Sequence, residues 1–183
     1  MTAEEILDIA VDVERKAAVI YRLLYDRFKD DIMARYLFYS LSLEEERHAK
    51  FIEAEKKMLK TIPHVFGGLN VDASSLLDTL KKMETLETYI KENPITLERA
   101  INVALTIEEE LVENKYADLI EIRSPSLKKI FGELTAKSDH VERLDIAAKK
   151  IGVKIPVNKF KYARTDCKVE NSELISVGKG EER

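Results

Sequence analysis

Glu45 and His48 stand three residues apart in the middle of an otherwise apolar stripe: Leu37/Phe38, Leu41, Glu45, His48, Ile52. Steps of three and four residues place all of these on one face of a helix. The same count runs Leu7, Ala10, Glu14, Ala17, Tyr21, Leu24, Phe28 in an earlier segment. It runs Asn102, Leu105, Glu109, Val112, Tyr116, Leu119 in a later one. Three helices thus each carry a carboxylate where an apolar side chain belongs. An unpaired buried carboxylate is costly or takes up a proton, so a cation shared between the helices is the expected answer. Carboxylate and imidazole ligands suit iron, manganese and zinc alike.

The elements that must position these groups read as helices almost throughout. Thr2 with Glu5 forms a capping-box pair for a helix to about Lys29, and Asp30-Asp31 breaks it. A second long helix follows over 32–60, and so short a turn makes the two antiparallel neighbours. Pro63 and Gly67-Gly68 mark a loop over 61–70, and a shorter, more polar helix spans about 75–91 up to Asn93-Pro94. Thr96 caps a third long helix, 97–122, and Ser124-Pro125-Ser126 opens a fourth, about 126–150. Glu14 and Tyr21 match Glu109 and Tyr116 at a constant offset, since 109 − 14 and 116 − 21 both equal 95. A duplicated helical hairpin predicts an all-α, antiparallel four-helix bundle over residues 1–151, with an irregular tail over 152–183.

The totals narrow the function. A formal net charge of −4 provides no basic footprint for nucleic acid or an anionic membrane surface. No run reaches the roughly 20 apolar residues of a membrane span. The acidic start Met1-Thr2-Ala3-Glu4-Glu5 opens a helix and is unlike a signal peptide, so a cytoplasmic location is expected. One cysteine, Cys167, excludes an intramolecular disulfide and a four-cysteine metal module within these 183 residues. Nothing near Cys167 but Lys168 would lower its pKa, and His64 in its Pro/Gly loop reads as structural or exposed.

The first-half pattern, a Glu seven residues before a Tyr and then Leu37-Phe38-Tyr39-Ser40-Leu41-Ser42-Leu43-Glu44-Glu45-Glu46-Arg47-His48, resembles the ferritin-like superfamily, its rubrerythrin-like branch in particular. The resemblance covers about residues 2–151. It implies a diiron site with a Glu from each of two helices and a Glu-x-x-His from each of the other two. Carried over, Glu14 and Glu109 become terminal carboxylates, Glu45 a bridging one and His48 a terminal imidazole. An extra Glu on the third helix is a family feature, which makes Glu108 or Glu113 a substitute ligand. Such sites react with hydrogen peroxide or dioxygen. Tyr21 and Tyr116 read as core aromatics, with a role beside the ligands as the alternative.

The fourth helix departs from the pattern. His140 is its only His, and Lys137 stands where the second Glu-x-x-His would have its Glu. Two registers compete. Ile130, Glu133, Lys137, His140, Leu144, Ala147, Ile151 turns His140 toward the site, whereas Phe131, Leu134, Ser138, Val141, Asp145, Ala148 turns it aside. The first is favoured because it supplies a second imidazole. By charge, three carboxylates carry −3 and two divalent ions +4, so an ammonium in place of a fourth carboxylate argues for one metal, a weakened second site, or none.

Three functions remain open. The first is a rubrerythrin-like non-haem iron oxidoreductase acting on peroxide or dioxygen. It would need a separate electron donor, since no rubredoxin-type cysteines are present in this sequence. The second is a degenerate ferritin-like scaffold or binding protein with a partial or empty site. The third is a ferroxidase or iron-handling protein. A homodimer is expected for this architecture. The charge argument is tested by Lys137→Glu, which should raise iron affinity and move the stoichiometry toward two per chain in elemental analysis. A variant that binds no more iron than its parent rejects the argument.

Overall fold

Thr2 starts the chain as the capping box requires: its backbone N–H donates to Glu5 Oε2 at 2.6 Å and its hydroxyl accepts from the Glu5 N–H at 3.2 Å. The helix so nucleated, α1, spans Ala3–Arg27. Asp31 caps the next, α2 (Ile32–Thr61), by accepting from the Ala34 N–H at 2.9 Å. The pairing of the two is antiparallel. Lys60 meets Glu4 and Lys56 meets Asp8 at one end, Arg15 meets Glu53 further along, and Phe28 packs on Phe38 at the other end. Between them lies a closed apolar seam that includes Leu7, Ala10, Ala17, Leu24, Phe38 and Leu41, each with no exposed surface.

The computed structural model describes residues 1–69, 73–113, 119–134 and 140–152. Among them the chain is mainly helical, as expected for an all-α protein. Helix α3 (Ala73–Glu92) packs against α1 and is tied to it by Lys16–Glu87 at 2.7 Å and by Arg27 donating to the Ile90 carbonyl at 2.8 Å. Thr96 caps α4 (Leu97–Glu113), with its hydroxyl accepting from the Arg99 N–H. Helices α5 (Pro125–Leu134) and α6 (His140–Ile151) follow, and α6 packs on both α2 and α4. The compact unit formed by these elements is Met1–Val153.

Two expectations about the elements need correction. The third helix does not run on to Ile122: Ile120–Ile122 is a strand, β2, and it pairs antiparallel with β1 (Phe66–Leu69), inside the segment expected to be a loop. Ile-Glu-Ile is a β-branched alternation that suits a half-buried strand, and pairing satisfies backbone groups that a loop would leave open. The register is irregular between Phe66↔Ile122 and Leu69↔Ile120, the signature of a bulge. Gly67 leaves the space that the Glu121 side chain occupies, so a Cβ there would oblige Glu121 to move. The expected fourth helix is described as α5 and α6, with 135–139 outside the described residues. Lys137, Tyr116 and the tail from 153 onward, Cys167 included, also lie outside them.

The Glu87 carboxyl is held below its ordinary range by hydrogen bonds from Lys16 and Lys91. A depressed folded-state pKa gives stability that is present above the unfolded pKa and lost as pH falls through the folded one. Glu87→Gln should therefore lower unfolding free energy at neutral pH by about 0.5 kcal/mol. In urea titrations across pH the difference from the parent should vanish in acid and not grow.

Candidate metal centre

Helices α1, α2, α4 and α6 meet around a cluster of ionisable side chains buried like core residues. Glu45 is fully buried, Glu14 and Glu108 are 2% exposed, and His140 is 1% exposed. Glu14 projects from α1 among Ala10, Ala17 and Tyr21, and Glu45 from α2 one turn beyond Leu41. Glu108 continues the α4 seam Ile101, Ala104, Leu111, and His140 begins α6 on the face of Leu144, Ala147 and Ala148. The same spacing that buries the apolar residues buries these four.

Their atoms form two overlapping triads. Glu14, Glu45 and His48 are one, and Glu45, Glu108 and His140 are the other; within each, one donor atom per residue lies within 4.8 Å of the others. Glu45 belongs to both. His48 Nδ1 lies 2.9 Å from Glu45 Oε2 and 3.8 Å from Glu14 Oε2. His140 Nδ1 lies 2.9 Å from Glu108 Oε2 and 3.2 Å from Glu45 Oε1. The two imidazoles stack at 5.8 Å between ring centres. Tyr21, fully buried, donates its hydroxyl to Glu108 Oε1 at 2.6 Å.

Without a cation the charges settle around His140. Burial alone would depress its imidazole, but Glu108 and Glu45 outweigh that and hold its pKa at about 10, so it is an imidazolium at neutral pH. Burial opposes ionisation of Glu45, yet hydrogen bonds from His140 and His48 hold it at about 2. Glu14 has no such cation: burial, then the charges of Glu45 and Glu108, push its carboxyl well above the ordinary range. Burial likewise raises Glu108, with His140 and Tyr21 acting against it. Tyr21 is raised well above the ordinary phenol range, first by burial and then by Glu108.

These residues fit a divalent cation. Glu14 Oε2 and Glu45 Oε1 are buried and make no well-aligned hydrogen bond, the latter facing His140 Nδ1 at 3.2 Å. Orphaned carboxylate oxygens in a dry core carry a desolvation cost that a bound ion offsets. The donors are carboxylate oxygens and imidazole nitrogens, the set used by iron, manganese and zinc.

Of the residues expected from sequence, Glu14, Glu45, His48 and His140 are brought together, and Tyr21 stands against Glu108. Glu109 is not. It is part-exposed and belongs to neither triad, while Glu108 occupies the buried position, one residue earlier. Residues 100–107 are apolar on nearly every face, so periodicity could not separate adjacent registers. Tyr21 and His140 decide it by giving Glu108 its partners. The Glu113 side chain and Lys137 lie outside the described residues, and His64 is exposed on a 3-10 turn, Pro63–Val65. Of the two α6 registers, the described part follows the one that buries His140, Leu144 and Ala147, with Val141 41% exposed.

Two residues at the site were not singled out from sequence. Glu44 on α2 meets His140 Nε2, and Arg143 grips Glu44 with both terminal nitrogens, at 2.9 and 2.6 Å. Glu44 reads as one member of an acidic surface run. The only available signal was Arg143, three residues after His140 on the same face.

No family model, no characterised protein and no solved structure matches the chain.

Burial and acidic neighbours push the Glu14 carboxyl up, whereas His140 and His48 hold Glu45 down as an ion-paired carboxylate, so like substitutions should differ. Glu14→Gln should change unfolding free energy in the presence of chelator by less than about 1 kcal/mol. Glu45→Gln, which strands His140 among fewer negative partners, should cost about 3–5 kcal/mol. Equal effects in denaturant titrations would refute this charge assignment.

Proposed function

We propose that this chain is a ferritin-like protein of the rubrerythrin type, holding two iron ions in its helical core and using them to reduce hydrogen peroxide or dioxygen. The observation that carries the reading is the membership of Glu45 in both triads. A carboxylate placed between two ligand sets is the requirement of a paired-metal centre, and a structural ion-pair core has no need of it. Glu14 and His48 would complete one position and Glu108 and His140 the other. When bound, two ferrous ions supply one electron each, which with two protons is what converts one hydrogen peroxide to two waters.

The chain's own residues do the rest. Tyr21 fixes Glu108 by its outer oxygen, leaving Oε2 directed at His140 and the shared space. Ala10, Leu41, Ala104 and Leu144, each fully buried one turn from Glu14, Glu45, Glu108 and His140, keep the surroundings apolar, which strengthens each charge interaction inside. The meeting of α1, α2, α4 and α6 fits a four-helix bundle with α3 in the crossover between two hairpins. Electrons must return from a separate donor, and pairing with a second copy of the chain belongs to the same reading, as does a cytoplasmic location. No described helix is long and apolar enough to cross a membrane.

A second reading, a scaffold without metal chemistry, draws on His140. Its two nitrogens already face Glu44, Glu45 and Glu108, so part of the core is satisfied by a proton alone. Iron content separates the two. After anaerobic loading with iron(II) and desalting, the parent should retain two irons per chain, and one equivalent of peroxide should oxidise both. Glu45→Ala should retain neither tightly. A parent that retains no iron supports the scaffold and ends the oxidoreductase reading.

A further inference from the structure

The two triads differ in what stands behind the imidazole. His140 Nδ1 faces Glu108 and Glu45, and on the far side of the ring Nε2 meets Glu44. Glu44 is itself clamped: Arg143 Nη1 reaches Oε1 at 2.9 Å and Nη2 reaches Oε2 at 2.6 Å, a two-point fork that matches the planar carboxylate. Arg143 Nη1 also reaches Ser40 Oγ at 3.4 Å, so the guanidinium is tied to α2 at two places. Behind His48 the arrangement is different. Its side chain is 21% exposed, and among the described residues none holds its Nε2.

We infer that Glu44 and Arg143 are positioning residues that hold His140 with Nδ1 toward the shared carboxylates, making the Glu45–Glu108–His140 position the tighter of two unequal cation sites. This rests on the two-ion reading above. To ligate through Nδ1 an imidazole must keep its remaining proton on Nε2, and a carboxylate acceptor there favours that tautomer and raises ligand basicity. A Glu with an exposed side, as Glu44 has, would otherwise turn to solvent. Arg143 removes that freedom, and by sitting three residues after His140 it moves with the same helix face. The clamp therefore fixes ring rotation and tautomer together. His48, with no described residue behind its Nε2, is held only from the Nδ1 side by Glu45 and by stacking on His140.

Cobalt(II) titration of the metal-free chain, followed by visible absorption and calorimetry, reads the two positions separately. The parent should take up two ions in two steps. Glu44→Ala should weaken about 10- to 100-fold the step that His140→Ala removes, and leave the other step unchanged. Glu44→Gln, which can still accept from Nε2–H, should fall between. Glu46→Ala, a neighbouring exposed carboxylate, should change neither step. If Glu44→Ala weakens both steps alike, or neither, the clamp is refuted while the two-ion reading stands. A parent that takes up fewer than two cobalt ions overturns the reading and the clamp together.

Discussion

Three carboxylates share one water-poor space among four helices, and the surrounding structure is arranged to make that tolerable. Desolvation and mutual repulsion act in the same direction, each disfavouring the charged form. Two features offset them: a Glu14 carboxyl whose pKa is pushed up toward the protonated form, and a His140 set between Glu45 and Glu108. Even so, Glu14 Oε2 and Glu45 Oε1 stay buried without a well-aligned hydrogen bond, His140 Nδ1 lying 3.2 Å from the latter. Residual frustration of this kind, in an otherwise closed apolar core, is characteristic of functional sites. It is also the physical reason for reading the cluster as a place for cations.

Where the ligands come from shapes how the site is assembled. Glu14, Glu45 and His48 belong to the α1–α2 hairpin, whose long seam and peripheral ion pairs form between neighbours in sequence. Three of the five residues of the two triads are thus local to one hairpin. Glu108 and His140 arrive from α4 and α6 and are joined to that hairpin by Tyr21, Glu44 and Arg143. Those contacts are buried or part-buried and charge-assisted, unlike the exposed pairs along the outside of α1 and α2. They do double duty, closing the helices together and aiming the donors.

Much of this was legible from spacing alone. The Glu14 and Glu45 positions, the Glu-x-x-His on α2, the capping box and the antiparallel hairpin all follow from three-and-four periodicity and local hydrogen bonding, which depend on residues a few positions apart. The α4 register is not legible in the same way, because a segment apolar on all faces gives periodicity nothing to choose between and leaves Glu108 and Glu113 beside Glu109 as candidates. The β1–β2 pair is not legible from spacing, because each strand is only three or four residues long and the partner of each lies some fifty residues away.

The sequence by itself determined that carboxylates and an imidazole would be buried in helical seams, since an amphipathic stripe is a property of one segment and its spacing. Tertiary structure decided which carboxylate of Glu108-Glu109-Glu110 enters the core, because Tyr21 and His140 stand where they satisfy only the first. It also decided that Glu45 joins two ligand sets, and that Glu44 turns from a surface acid into the support of His140. Those outcomes depend on hydrogen bonds between residues of different helices, and such distances exist only once the helices have packed.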